Sequence, residues 1–131
     1  TRRSPCLART AERRRNLKCR INKMKAIFVA CNQSMYDEVI GVMNRMQMRG
    51  YTGWEELMGC GSRNGEPHLG NHAWPTMNSA LLTVTDDGKV DEFLKSLKEL
   101  DEANEMQGLR AFVWDVAAMI CRTLRGASEW W

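Results

Sequence analysis

Residues 59–79 read GCGSRNGEPHLGNHAWPTMNS, and how this stretch is taken decides the fold. It holds four glycines, two prolines, both histidines of the chain, one cysteine and one tryptophan. A loop of this length inside a compact domain is uncommon and usually has a function. Its aromatic, imidazole and thiol side chains set it apart from a linker, which would be rich in Ser, Gly and charge. Read as a loop, it separates two strand-like runs, Tyr51 to Met58 before it and Asn78 to Thr85 after it. Gly53 marks a possible bulge in the first of these.

Outward from these strands the pattern repeats on both sides. Lys25 to Cys31 (KAIFVAC) is a strand with two apolar faces, Ala26, Phe28 and Ala30 against Ile27, Val29 and Cys31. Such a strand is covered on both sides. Ser34 is a candidate N-cap, followed by Asp37 and Glu38 in a first helical turn. Tyr36, Val39, Ile40, Met43 and Met46 or Gln47 recur at helical spacing, which predicts an amphipathic helix over 34–49 with Gly50 as its stop. After the third strand, Asp86 or Asp87 caps a second helix. Its stripe is Val90, Phe93, Leu94, Leu97 and Leu100, and Gly108 is its expected end. Leu109 to Val116 (LRAFVWDV) forms a fourth strand.

The order is β-α-β-β-α-β over residues 24–116, an α+β, ferredoxin-like βαββαβ arrangement. It predicts a four-stranded antiparallel sheet with two helices on one face and the long loop between strands two and three. The helix-free face has no cover of its own, yet strands one and four are apolar on both sides. Such a face is an association surface unless the tail, residues 117–131, shelters it. Ala117 to Leu124 of that tail has the makings of a short helix.

The net charge of +3 averages two unlike parts. Residues 1–23 hold nine Lys/Arg and one Glu, a charge of +8, and residues 24–131 hold ten Lys/Arg and fifteen Asp/Glu, a charge of −5. The acidic body is a poor nucleic-acid footprint. The basic head, residues 1–23, is read as disordered or foreign to the natural product, with Met24 as the natural start. A basic arm for nucleic acid or anionic lipid and an Arg-rich transit peptide are the alternatives. No apolar run approaches the ~20 residues of a membrane helix. The cysteines Cys6, Cys19, Cys31, Cys60 and Cys121 are odd in number and form no C-x-x-C pair. They suggest reduced thiols in a cytoplasmic protein.

The element order, a loop opened by glycine, and the phrase GEPHLGNHAWPTMNSA resemble PII-like proteins, relatives of the PII nitrogen-regulatory signalling family. The resemblance spans roughly residues 24–116. It implies a ferredoxin-like homotrimer with sheets packed inward and small-molecule clefts between subunits. It also implies a long loop, the family's T-loop, that responds to ligand and touches a regulated partner protein. Gly59 and Gly61 stand where the family's loop base helps to cradle nucleotide. The tyrosine that is modified in classical family members has no counterpart here, since Tyr36 and Tyr51 both lie outside the loop. Where the classical family has a Gly/Lys-rich phosphate-binding turn, this chain has Gln107-Gly108-Leu109-Arg110, with Arg110 as its one basic residue. This thin basic turn weighs against nucleotide as a cofactor, and the ligand is unassigned. The CutA copper-tolerance proteins are similar at the level of fold.

Several chemistries are open to the loop. Gly59-Cys60-Gly61-Ser62 offers a backbone N–H concavity for an anion beside Arg63, or a simple turn. His68 and His72, with Cys60 and Glu66, supply N, S and O donors of the kind that hold Zn or Cu. The other reading is that the two imidazoles hydrogen-bond and hold the loop in shape. Pro67, Gly65 and Gly70 argue against a helix that would align them. Trp74, held extended before Pro75, lines a pocket or joins the core. Asn78 caps the turn into the third strand or orients a ligand. The leading expectation is a non-enzymatic PII-like regulator whose ligand touches Gly59, Gly61, Arg63, His68, His72, Trp74, Asn78 and Arg110. A Zn or Cu trimer resembling CutA is the alternative. Less favoured is a cysteine-dependent enzyme pairing Cys60 with a histidine.

Overall fold

The computed structural model describes residues 23–60, 67–72, 76–104 and 107–120. Four long strands form one antiparallel sheet: β1 (Met24–Asn32), β2 (Tyr51–Leu57), β5 (Asn78–Asp86) and β6 (Leu109–Asp115). Their order across the sheet is β2-β5-β1-β6. Two further strands of two residues each, β3 (Gly59–Cys60) and β4 (Pro67–His68), pair with each other as a ribbon within the long loop. The helices are α1 (Tyr36–Arg45) and α2 (Val90–Ala103), each entered through a single 3₁₀ turn.

Residues of one parity in β1 face the helices. Ile27, Val29 and Cys31 are buried there with Leu81 of β5, Val39, Val42 and Met43 of α1, and Phe93 and Leu97 of α2. Each such side chain contributes about 1.5–3 kcal/mol on leaving water. Burial pushes the Cys31 thiol up to about 11, because the thiolate is penalised where water is absent. An unfolded chain gives up this proton first. The resulting stability is therefore whole below about pH 9 and is lost as pH rises through about 11, a change on the order of 2–3 kcal/mol. Urea titrations at about pH 8 and pH 10.5 should show a steeper loss for the native chain than for Cys31→Ala. Equal losses would remove Cys31 as the cause.

Local chemistry moves several boundaries from those the sequence suggests. Asn32, not Ser34, caps the first 3₁₀ turn, its Oδ1 accepting from the Ser34 N–H at 3.0 Å. The helix stops well before Gly50. Met48 N–H donates to the Met43 carbonyl and Gln47 N–H to that of Asn44, with Gln47 at φ 57°. This is a Schellman closure, and buried Met43 and Met48 supply its apolar contact. Gly50 instead gives its carbonyl to the Thr83 hydroxyl. For the second helix Asp86 is the cap, accepting from Gly88 N–H at 2.9 Å. Gly108 is not the helix end: α2 stops at Ala103, and Gly108, at φ 68°, opens β6.

Strand β2 carries its irregularity later than Gly53. Trp54 opposes Ala80 and Leu57 opposes Asn78, so one extra residue is inserted at Glu55-Glu56. The Glu55 carbonyl freed by this bulge accepts from the Ser79 hydroxyl at 2.5 Å and from Gln33 Nε2 at 3.3 Å. Ser79 is fully buried, and this bond satisfies its hydroxyl. Gly53 serves close packing instead: a Cβ there would overlap the Tyr36 hydroxyl.

The opposite face of the sheet is bare of helices. Across it run Ala26, Phe28 and Ala30 of β1, opposed by Val84, Leu82 and Ala80 of β5 and by Trp114, Phe112 and Arg110 of β6. Trp54, Phe112 and Trp114 are 42%, 54% and 49% exposed. Residues 117–120 carry no helix and leave Ile120 fully exposed. The described part of the tail therefore gives neither the expected helix nor cover for this face, and the rest of the tail lies outside the described residues.

Candidate functional site

The end of the sheet at Asn32 gathers the loop base on one side and the turn before β6 on the other. Gln33 N–H donates to the Met77 carbonyl at 3.0 Å, and Asn32 N–H to the Gly108 carbonyl at 3.3 Å. The Ser34 hydroxyl donates to Gln107 Oε1 at 3.2 Å. The 3₁₀ turn Gln33–Met35 thus joins both connections and gives the loop base a floor.

On that floor stands a three-residue contact. Asn78, the first residue of β5, opposes Asn32 of β1 and Leu57 of β2, so its backbone is held from both sides. Its side-chain oxygen lies 2.5 Å from His68 Nδ1. Its side-chain nitrogen packs onto Gly59, where any Cβ would overlap it. Gly59 in turn pairs with His68 across the ribbon, and Cys60 pairs with Pro67. Further along, Gly70, at φ 66°, donates its N–H to the Thr76 carbonyl at 3.3 Å and lies against the Met77 side chain. A glycine is required there both by the positive φ and by that contact.

Of the residues singled out from sequence, the structure brings together Gly59, His68 and Asn78. Cys60 sits beside them with an exposed thiol. His72 is exposed in a bend beyond the ribbon, so the four-residue spacing of the histidines has no helical meaning here. Arg110 lies exposed at the start of β6, opposite Ala30. Two strand spacings, about 10 Å, separate its strand from β5. Gly61, Arg63, Glu66 and Trp74 lie outside the described residues. Among the described residues, no three His, Cys, Asp or Glu side chains gather as a metal site would need. Sequence reasoning missed Ser79, Gln33 and Met77. The one signal available was a serine just before the apolar run Ala80 to Leu82.

A four-stranded antiparallel sheet in the order β2-β5-β1-β6, backed by two helices and crowned by an anchored loop, defines a ferredoxin-like α+β domain. The chain belongs to the nitrogen regulatory protein P-II family, whose model matches residues 24–124. Among solved structures it is similar to CPII, a nitrogen regulatory PII-like protein from Thiomonas intermedia K12, bound to ADP, AMP and bicarbonate. The TM-score is 0.59 and the identity 18%, over 71% of this chain and 85% of that one. A PII-like signalling protein from Thermus thermophilus matches with TM-score 0.53 and 18% identity, over 71% and 86%. A DUF3240 family protein from Shewanella baltica matches with TM-score 0.56 and 10% identity, over 76% and 96%. At these identities the likeness shows the fold. No curated protein sequence matches the chain. No described helix is long and apolar enough to cross a membrane.

Proposed function

We propose that the protein is a PII-like regulator that works as a homotrimer in the cytoplasm. A small ligand binds in the clefts between subunits and selects one conformation of loop 59–77, which a partner protein reads. The ligand is proposed to meet Gly59, Gly61, Arg63, His68, His72, Trp74 and Asn78 of the loop, with Arg110 at the start of β6. The observation that carries this reading is the placement of the loop base. It is anchored through Gln33 and Asn78 at the rim of a sheet whose bare face holds Phe28, Leu82, Trp54, Phe112 and Trp114. Apolar surface of that extent favours meeting further copies. Copies that meet there bring their loop bases to the seams, where concave sites form.

The role is regulatory rather than catalytic, and membership of the P-II family supports it. The ligands bound by CPII give the first candidates. Isothermal calorimetry of the full chain with ADP, AMP, ATP, bicarbonate and 2-oxoglutarate should give saturable heat with at least one, at one site per subunit. The same compound should protect the loop from protease. No heat and no protection with any of the five would count against the reading.

A further inference from the structure

We propose that Asn78 is a positioning residue that locks His68 in its Nδ1–H tautomer across Gly59, so that the loop base offers His68 Nε2 as an acceptor to a hydroxyl or N–H of the ligand. This rests on the loop base being the ligand site, and it names the chemistry that the site prefers.

The tautomer follows from the contact. His68 Nδ1 and Asn78 Oδ1 are 2.5 Å apart. A carboxamide oxygen has no hydrogen to give, so the proton between them belongs to Nδ1. A neutral imidazole carries one N–H, which leaves Nε2 with a lone pair only.

The carboxamide holds its orientation because its surroundings are fixed. The Asn78 backbone is gripped between Leu57 and Asn32. Its Nδ2 occupies the space left by the missing side chain of Gly59. Pairing of Gly59 with His68 sets the ring beside the oxygen. Glycine at 59 is thus part of the same device, since a methyl group there would push the carboxamide aside.

An acceptor-only nitrogen discriminates. It takes a hydrogen bond from a hydroxyl or an amine and faces a bare carboxylate or phosphate oxygen lone pair to lone pair. His68 thereby reads a neutral donor group of the ligand rather than an anionic one. A preference of this kind excludes analogues lacking the donor more strongly than a shape difference would.

The test reads the tautomer directly, by long-range proton–nitrogen correlation on the uniformly ¹⁵N-labelled full chain at about pH 8, well above the ordinary imidazole pKa. The chain has two histidines, and His72→Gln assigns the pair. His68 is expected to show a protonated Nδ1 and an unprotonated Nε2. In Asn78→Ala the Nδ1–H to Nε2–H ratio should fall by about fivefold, the equivalent of one ordinary hydrogen bond. Gly59→Ala should lower it in the same direction, and Asn78→Asp, whose carboxylate still accepts, should keep it. A merely structural Asn78 would leave the ratio alone. An Nε2–H tautomer in the native chain, or a ratio unchanged in both Asn78→Ala and Gly59→Ala, overturns the proposal. No ligand enters this measurement, so its failure and a silent calorimetric titration are separate results.

Discussion

Phe112→Asp is expected to convert the proposed trimer to monomers at micromolar concentration while leaving the secondary structure intact. Phe112 stands opposite Phe28, which stands opposite Leu82, in the middle of the helix-free face. It is 54% exposed in the single chain, so a carboxylate there remains hydrated in an isolated subunit and costs its fold little. In an assembly that shelters this face the same carboxylate is stripped of water. An unpaired buried charge costs about 3–5 kcal/mol, a shift on the order of 10²–10⁴-fold at each contact. Light scattering on the eluting protein gives the mass, and circular dichroism checks the fold. Native mass retained by the variant would show that the bare face is not where copies meet.

Phe93→Ala should have the largest effect on the subunit itself. Phe93 is fully buried on α2, in one cluster with Ile27, Val29 and Leu81 of the sheet. Truncating a buried phenylalanine costs about 3–5 kcal/mol, through lost transfer energy and the cavity left behind. Domains of this size have about 5–15 kcal/mol in total, so the variant should unfold at a much lower urea concentration. Phe112→Ala is the matched comparison, with the same atoms removed from the open face. The isolated subunit should feel that change far less. If both variants weakened the monomer equally, the division of the sheet into a packed face and an open face would be wrong.

The fold was legible because periodicity carries it. Short apolar runs in KAIFVAC and LRAFVWDV marked the two strands that neighbour each other in the sheet, and the Val90, Phe93, Leu97 spacing marked the face that α2 buries. Ends of elements were less legible, because side-chain burial there outweighs residue preference. Gln47 takes the left-handed position that Gly50 seemed suited for, since this choice seats Met48 in the core. Ser34 has the chemistry of a cap, but Asn32, two residues earlier, captures the Ser34 N–H first. At the site, Gly59, His68 and Asn78 were each visible as unusual residues in a loop. Their contact was not, because it depends on a two-residue ribbon and on β-register, neither of which leaves a period in the sequence. The glycine at 53 looked like the bulge, and its real duty is room for a tyrosine ring.

The extra residue at Glu55-Glu56 has a geometric consequence for how this loop can vary. Side chains along a strand alternate, so inserting one residue reverses the parity of everything after it. Trp54 and Leu57, three apart in sequence, consequently point the same way, and the chain reaches Gly59 in phase with Asn78. Lengthening or shortening the stretch between Cys60 and Pro67 preserves that phase. Removing a single glutamate upstream would only restore plain alternation, with Trp54 and Leu57 two apart and still on one side, whereas adding one there would turn the whole arm half a pleat, so tolerance on that side runs in one direction only.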